Sequence, residues 1–539
     1  FSYLDKINLD NKYIFSIFFF FYILFCFSTI DQFSNILSYR DLYQSFLGDG
    51  FNHIRKINEI DYKLNFQKIH GSFLYSNNYY IFSVTILKFL KIFYGYSYSL
   101  VGISALIVNL ISIFSICVFG YLICFNFSKS KLFSLGIISL LWHPDLIIYA
   151  LQIYPDILQL ALIIAAVYFV TLQHKFSWFL SFFFCGLAFG VKAQGLFIFI
   201  YLITFFFIYE LFKHNFKINN LKISIFKTFL YGSLFLVTFF TLNQIDPIQL
   251  LNDLLFKTLD QASDLEFDNS KRALAFLTII FREKSNIVIF LITICIGYIL
   301  NFDVKKNKIL FLVTLIFFIL FYYQLSNNKF LLQGPRYLYH LLPLIIILLS
   351  ISFSNISNYL YLKNLRIITL IITIIIFSYG LNLFNKTFFN SIKRYDFKKI
   401  VKNDEKIEGY NFLKSIKVNY ENPLLCAGHY SPVPTGPDGY KRERIKTSYR
   451  HLDFEKIIRN KQCDIIVLDS STPGRYIWFQ KNLDNIIIPK YENMGKYIQM
   501  LGKDKIERTQ QLIKYILTDS KSGYKVIFYN KKMIVLTNR

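Results

Sequence analysis

The sequence predicts an all-α polytopic membrane domain with about eleven transmembrane helices, followed by a small C-terminal α/β domain. Three observations predict this class. First, 54% of the 539 residues are hydrophobic and 17% are charged, whereas roughly a quarter of an ordinary soluble domain is charged. Second, apolar blocks such as Leu100 to Phe125 reach the ~20 residues that a helix needs to cross a bilayer. Third, the composition becomes polar after about residue 385.

The membrane domain is predicted to comprise residues 1–384. Its first apolar block follows Lys6 and Lys12 but precedes no small-residue cleavage site, so we expect it to be retained as the first membrane helix. The predicted membrane helices occupy residues 13–30, 99–125, 132–151, 155–172, 177–191, 194–212, 226–243, 286–302, 309–325, 337–353 and 365–384.

The lysines predict the orientation. With the N-terminus in the cytoplasm, the connections expected on that side are short, almost free of acid and rich in lysine, as the positive-inside rule requires. The C-terminal domain then lies outside. The same rule accounts for the net charge of +25, because the basic residues are dispersed and not gathered in one nucleic-acid-binding domain. The cytoplasmic connections contain Lys129 and Lys131; Lys175; Lys213, Lys217, Lys222 and Lys227; Lys305, Lys306 and Lys308; and Lys363 and Arg366.

Residues 31–98 form a long first outer loop of mixed charge. Within it, residues 79–94 are largely apolar but are interrupted by Lys88 and Lys91. A crossing here would place every later lysine-rich connection outside. We therefore predict an amphipathic helix that lies at the membrane interface.

Residues 385–539 are numerous enough for one independent domain. The stretch Ser431 to Tyr440 is rich in Pro and Gly and is predicted to be a loop. Cys426 and Cys463 could pair if this domain is extracytoplasmic, although the sequence does not supply the geometry that a disulfide requires. Strands are predicted at Asp464–Leu468, Asn485–Ile488, Lys525–Tyr529 and Met533–Leu536, and helices at Asp404–Ile416 and Lys505–Leu517.

The first outer loop contains an acid between two glycines, Asp49, shortly after the first membrane helix. Glycines leave the backbone free to approach a substrate. Asp49 is therefore a candidate site residue, together with His53 and Arg55 in the same stretch. The alternative is that Asp49 caps the helix that follows it.

A second group of acids follows the third predicted helix, in Pro144-Asp145 and Pro155-Asp156, with Tyr149 between them. Carboxylates at a membrane boundary are costly unless they face water or each other. The alternative is that the prolines break the helices and the acids cap the helices that restart. This alternative suits Asp145 better than Asp156, which makes Asp156 the candidate.

Two cations lie at predicted outer boundaries. Lys192 precedes Gln194 between two apolar blocks, and Arg336 precedes Tyr337. A guanidinium can bind a phosphate through two parallel hydrogen bonds. The alternatives are that Lys192 extends alone to the interface and that Arg336 is an anchor beside interfacial tyrosines. The topology derived from the lysines places both cations and the two candidate acids on one face.

This order of features resembles the GT-C superfamily of glycosyltransferases over roughly residues 13–350. It resembles in particular the bacterial branch similar to protein O-mannosyltransferases and the lipid A aminoarabinose transferase. Gly50 stands where many relatives have a second acid, and Asn77-Asn78 where they often have a proline pair. These departures leave the acceptor class open. The matching features are Asp49, the interfacial helix ending in Phe93-Tyr94-Gly95, Tyr149 to Asp156, Gly186 to Gly195 with its lysine, and Pro335-Arg336-Tyr337 before Pro343.

The resemblance implies inverting transfer of a sugar from a polyprenyl-phosphate donor to a lipid, glycan or protein acceptor, outside the bacterial plasma membrane. Asp49 would accept the proton of the acceptor as the polyprenyl phosphate departs. Lys192 and Arg336 would stabilise the charge that grows on that phosphate. Asp156 would orient the acceptor or share in base catalysis. No metal site is convincing in the sequence, although Asp49 and Asp156 could hold a divalent cation.

Two other functions fit a chain with many membrane helices. A transporter or flippase of a lipid-linked or small solute would show helices broken near the midplane or two related halves. Here the polar residues gather at one face and no halves repeat. A non-catalytic membrane scaffold, whose C-terminal domain binds a partner, predicts instead that Asp49 is dispensable.

Overall fold

A computed structural model gives the architecture of most of the chain. The described residues fall into two compact units, divided after Arg394. The first includes the described residues from Arg55 to Arg394, and the second those from Glu405 to Asn538 together with residues 50–54. The described residues are 50–63, 77–141, 149–172, 174–192, 194–213, 218–243, 284–300, 305–327, 341–394, 405–419, 421–428, 431–434, 440, 445–446, 458, 460, 462–469, 488–494 and 503–538.

The regular secondary structure described in the first unit consists of helices. Lipid offers no hydrogen-bond partners to the backbone, so each long apolar segment has to pair its own N–H and C=O groups, which it does as a helix. The helices are α1 (Gly50–Lys63), α2 (Asn78–Tyr94), α3 (Tyr98–Ser128), α4 (Lys131–Leu141), α5 (Asp156–Leu172), α6 (Lys175–Phe189), α7 (Gly195–Lys213), α8 (Ile218–Asn243), α9 (Lys284–Ile299), α10 (Lys305–Asn327), α11 (Leu342–Leu362) and α12 (Arg366–Arg394).

Every predicted membrane helix except 13–30, which lies outside the described residues, overlaps helical residues of the structure. Residues 142–148 and 337–340 of the predicted helices also lie outside the described residues. Among the described helices, four have the length and composition to cross a bilayer, namely the apolar parts of α3, α7, α8 and α11. Shorter apolar helices occur in α5, α6, α9, α10 and α12. The chain is therefore a helical protein with membrane-spanning segments, and the count of about eleven crossings stays a prediction.

Three predicted helix ends were wrong, and one of them is the end of α11, which continues to Leu362 and not to residue 353. Helix α8 begins at Ile218 and not at residue 226, and α12 continues to Arg394 and not to residue 384. Lys222 and Lys227, assigned to a connection, are therefore helical. Hydropathy marks where the lipid ends, whereas backbone hydrogen bonding continues into the polar region beyond it.

Helices α3 and α5 run in the same direction. The Asn109 side chain donates to the Ala150 carbonyl, 3.0 Å away, near the start of α5. At the far end, the Asn126 side chain donates to the Thr171 hydroxyl over 3.1 Å. The two asparagines are about 25 Å apart along α3 at ~1.5 Å per residue, which is close to the thickness of the hydrocarbon core.

The predicted interfacial helix is present as α2, and its position at the membrane interface stays a prediction. It packs on α3 through a face that includes Tyr79, Tyr80 and Leu87, which are buried. Its C-terminal part exposes Ile92 and Phe93. A helix buried on one side and apolar on its exposed end is compatible with an interfacial position.

The second unit contains a five-stranded sheet in the order β2-β1-β3-β5-β4. Strands β1, β2 and β3 are parallel, whereas β5 runs antiparallel to β3 and β4. Alternate residues of a strand point to opposite faces, and each face is covered by one helix. The elements are β1 (Leu425–Ala427), β2 (Ile445–Lys446), β3 (Ile465–Asp469), β4 (Lys525–Tyr529), β5 (Met533–Thr537), α13 (Glu405–Ile416) and α14 (Lys503–Thr518).

Buried side chains form a separate core on each face. Leu413 of α13 packs with Val467 and Val535 on one face. Ile513 of α14 packs with Ile466 on the other. The described part of the second unit is thus a three-layer α/β/α arrangement.

Most predicted elements of this unit occur within a few residues of their expected ends. Ile488 is not in a strand, and residues 485–487 lie outside the described residues. Residues 431–434 are irregular, as predicted for the loop. The two shortest strands, β1 and β2, were not predicted.

Cys426 and Cys463 form a disulfide, with their Cα atoms 5.8 Å apart. Cys426 lies in β1, and Cys463 precedes the neighbouring strand β3 by two residues. The parallel pairing of these strands supplies the Cα separation that a disulfide requires.

Candidate functional site

Asp156 and Lys192 form a buried ion pair, in which the lysine ammonium donates to Asp156 Oδ1. The two side chains are 1% and 2% exposed, respectively. The alternative that Lys192 extends alone to the membrane interface is therefore wrong. The structure brings together two of the predicted site residues, and their catalytic roles stay predictions.

Local backbone structure places the two partners. Asp156 is the first residue of α5, directly after Pro155, which suits the first turn of a helix. Lys192 lies in the short turn between α6 and α7. Its backbone carbonyl accepts from the Gln159 side chain at 2.8 Å and from the Gly195 amide at 3.0 Å. These bonds hold the turn against α5 and so fix the distance between the charges.

Gly195 allows this turn to close. A Cβ at this position would lie 2.5 Å from the backbone nitrogen of Phe189. At Gly186, on the same segment, a Cβ would lie 2.9 Å from the carbonyl oxygen of Phe235 in α8. The two glycines therefore permit close backbone approach, which is the usual role of small residues between membrane helices.

Asn78 joins α2 to the same turn. Its side chain donates to the Leu187 carbonyl at 2.9 Å, and its backbone amide donates to the Gly190 carbonyl at 3.0 Å. Asn78 is 1% exposed, so both bonds are protected from water. The predicted interfacial helix is thus attached to the segment that carries Lys192.

Tyr79 also belongs to this region. Burial, the neighbouring Tyr80 and the Asp156 carboxylate raise the pKa of Tyr79 well above its ordinary value, and a hydrogen bond with Asn109 offsets part of the effect. Its hydroxyl donates to the Ala105 carbonyl at 3.5 Å. At neutral pH the phenol is therefore neutral and keeps the proton that it donates to Ala105.

The segment before Asp156 contains a strained residue. Ile153 has a φ of +62°, which is unusual for a β-branched side chain. The Ile153 amide donates to Ala150 at 3.2 Å, and the Tyr154 amide donates to Tyr149 at 3.0 Å. The rings of Tyr149 and Tyr154 meet edge to face, with centroids 5.3 Å apart. Such strain persists where the surrounding structure imposes it and often marks a functional site.

The remaining predicted site residues are less fully described. His53 lies in α1 with its side chain buried, and only the backbone of Arg55 is described. Gln194 is partly buried in the α6–α7 turn. Asp49, Arg336 and Tyr337 lie outside the described residues. Since α1 begins at Gly50, the capping alternative for Asp49 stays open.

Sequence reasoning missed Asn109 and Gln159. Both amides interrupt long apolar helices, where polar side chains are costly and often functional, so this signal could have found them. Nothing in the sequence marks Ile153, because isoleucine is a poor residue for a positive φ. No group of three His, Cys, Asp or Glu side chains suited to a metal occurs within the described residues, and the cation suggested for Asp49 and Asp156 stays a prediction.

No protein-family model and no curated protein matches the chain. Among solved structures, the chain is similar to ArnT from Cupriavidus metallidurans bound to undecaprenyl phosphate, with 10% identity, 94% of this chain and 97% of that chain covered, and a TM-score of 0.48. The apo state of that protein gives 11% identity, 93% of each chain and a TM-score of 0.48. The chain is also similar to the Archaeoglobus fulgidus oligosaccharyltransferase in complex with Zn and sulfate, with 12% identity, 86% of this chain and 74% of that chain covered, and a TM-score of 0.43.

Proposed function

We propose that this chain is an integral membrane glycosyltransferase that moves a sugar from a polyprenyl-phosphate donor to an acceptor on the extracytoplasmic face. The buried Asp156–Lys192 pair, within a polar cluster at the end of otherwise apolar helices, is the observation that carries the proposal. Ionisable residues are placed at such depth at a considerable cost, which indicates a functional site. The resemblance of the sequence to the GT-C superfamily supports the same reaction class.

Charge at the opposite helix ends supports the orientation. Lys129 follows α3, Lys175 begins α6 and Lys213 ends α7, all at the end remote from the ion pair. By the positive-inside rule these lysines belong to the cytoplasmic side. The Asp156–Lys192 pair then belongs to the extracytoplasmic side.

The disulfide supports an extracytoplasmic C-terminal unit. Disulfides such as Cys426–Cys463 persist in oxidising compartments and are rare in the cytoplasm. This agrees with the orientation expected from the lysines, and it rests on an independent property of the chain.

The ion pair suggests a sequence of events at the site. In the absence of donor, the Asp156 carboxylate neutralises the Lys192 ammonium. A donor phosphate that reaches Lys192 competes for the same cation and frees the carboxylate to bind an acceptor hydroxyl. The lysine then stabilises the negative charge that develops on the departing phosphate.

In the transfer step, the acceptor oxygen bonds to the anomeric carbon as the bond from that carbon to the phosphate oxygen breaks. The acceptor proton passes to the Asp49 carboxylate, and the polyprenyl phosphate leaves as an anion. Proton transfer to a positioned base contributes typically 10²–10⁴ in rate. Attack opposite the leaving group inverts the configuration of the sugar.

The decisive experiment is turnover by the purified chain. It is incubated with candidate polyprenyl-phosphate sugars and an extract of potential acceptors, and the release of polyprenyl phosphate is measured. We expect release that depends on both donor and acceptor. Movement of intact donor across a vesicle membrane, without cleavage of the sugar–phosphate bond, would instead favour a flippase.

A further inference from the structure

A cavity lined mainly by polar residues lies at the cationic end of the helices, remote from Asp156. Its volume is about 40 Å³, several times the ~10–15 Å³ that one water molecule needs. The cavity is bounded by the α3–α4 turn, the end of α11 and the start of α12. The residues that line it include Ser130, Ser357, Tyr361, Arg366, Thr369 and Thr373.

Two hydroxyls in this cavity are buried without a hydrogen-bond partner in the part of the chain that the structure describes. They are Ser357 Oγ and Thr369 Oγ1, on residues that are 3% and 8% exposed. Ser and Thr in membrane helices usually bond to a carbonyl one turn earlier. Thr373 does so, with Thr369 at 2.8 Å. The two hydroxyls are thus available for a polar ligand, and leaving them unpaired is costly.

The charge around the cavity is positive. Arg366 lies at the mouth, stacked on Tyr361 with the guanidinium carbon 4.1 Å from the ring centroid. No carboxylate lies within ion-pair distance of Arg366 among the residues described. Helices α4 and α12 both begin here, and Ser130 Oγ accepts from the Phe133 amide at 3.3 Å at the start of α4. Two helix N-termini and a guanidinium favour an anion with several acceptor oxygens.

Exposed apolar side chains beside the opening of the cavity indicate that the anion is the polar end of an amphiphile. Leu362 and Ile367 are 75% and 73% exposed, and Ile371 and Ile375 continue an exposed apolar surface along α12. An amphiphile could place its polar end in the cavity and its acyl chain along this surface. Basic pockets between membrane helices on the cytoplasmic side are suited to anionic lipid head groups.

We infer that this cavity binds a phosphate group, supplied by the head group of an anionic phospholipid in the leaflet opposite the Asp156 site. Arg366 and the two helix N-termini hold the charge, while Ser357 and Thr369 donate to phosphate oxygens. The site lies about one membrane thickness from the ion pair. It is therefore separate from the proposed transfer reaction and does not depend on it.

The test uses the full chain and three probes: phosphatidylglycerol, phosphatidylcholine and inorganic phosphate. Binding is measured by native mass spectrometry and by the shift of the thermal unfolding midpoint. The variants are Arg366→Gln, which removes the charge, and Ser357→Ala with Thr369→Val, which removes both hydroxyls at similar volume. The matched control is Lys363→Gln, since Lys363 is exposed in the same connection but does not line the cavity.

We expect phosphatidylglycerol to be retained over phosphatidylcholine. Arg366→Gln and the hydroxyl variant should each weaken retention by roughly tenfold or more, with Lys363→Gln close to the unsubstituted chain. If inorganic phosphate alone shows this variant dependence, the phosphate site stands but the lipid source is wrong. Equal retention of both lipids, or equal losses in Arg366→Gln and Lys363→Gln, overturns the proposal. Normal binding by the hydroxyl variant excludes this cavity.

Discussion

The Asp156–Lys192 pair makes a quantitative prediction about stability and activity together. Its side chains are almost fully buried, so removal of one partner leaves an uncompensated charge. This typically costs about 3–5 kcal/mol. We therefore expect Lys192→Met and Asp156→Asn each to lower the free energy of unfolding by roughly that amount. The double substitution should cost less than the sum of the two, because no buried charge remains.

The assay is a double-mutant cycle measured by reversible unfolding in detergent, with the rate of sugar transfer determined for each folded variant. Coupled groups in contact show interaction energies of about 0.5–3 kcal/mol. In the proposed mechanism both charges act on substrate, so the double variant should recover stability but not transfer. Additive losses of stability would show that the charges do not interact. Recovery of transfer as well would make the pair purely structural.

A control pair is available at the opposite ends of the helices. Lys227 of α8 donates to Glu210 of α7 at 2.6 Å, and the lysine side chain is 37% exposed whereas the glutamate side chain is 5% exposed. Substitution of both partners leaves no uncompensated buried charge. Glu210→Gln with Lys227→Met should therefore change stability slightly and leave transfer per folded molecule unchanged.

Three further predictions concern the remaining candidates. Asp49→Asn should lower transfer by about 10²–10⁴ while donor binding persists; a loss confined to protein yield or melting temperature would indicate a helix cap instead. Arg336→Ala should weaken donor binding by about 1.5–3 kcal/mol in a titration with polyprenyl phosphate, and unchanged affinity would make Arg336 an anchor. Cys426 and Cys463 should resist thiol labelling until a reductant is added from outside the cell, whereas labelling only from the cytoplasm contradicts the proposed orientation.

The helices were predictable because their cause is local. A long apolar sequence in lipid has to pair its own backbone, so α3 and α7 follow directly from hydropathy. The ends of helices were predicted less accurately where the helix continues through charged residues into the polar region, as α8 does at Lys222. Strands β1 and β2 were missed because three and two residues carry too little pattern, and only their neighbours in the sheet stabilise them.

The sequence identified Asp156 and Lys192 as candidate site residues, but it did not predict that they form an ion pair. Lysine counting placed Asp156 and Lys192 on one face, yet nothing in the sequence showed that they contact each other. Their contact depends on the turn between α6 and α7, which Gly195 permits and Gln159 fixes. Such bonds join residues far apart in sequence, where periodicity carries no information.

The direction of the helices separates two kinds of lysine in this chain, those at the cationic end and Lys192 in the buried ion pair. Helices α3 and α5 start near the ion pair and end near the lysines, so residues about one membrane thickness apart share a single rigid packing. At the end with many cations, Lys129 is exposed, so its charge costs little. At the other end, Lys192 is buried, and Asp156 balances its charge. A lysine retained for orientation alone would not need a buried carboxylate, and this difference distinguishes the Asp156–Lys192 pair from the cations at the other end.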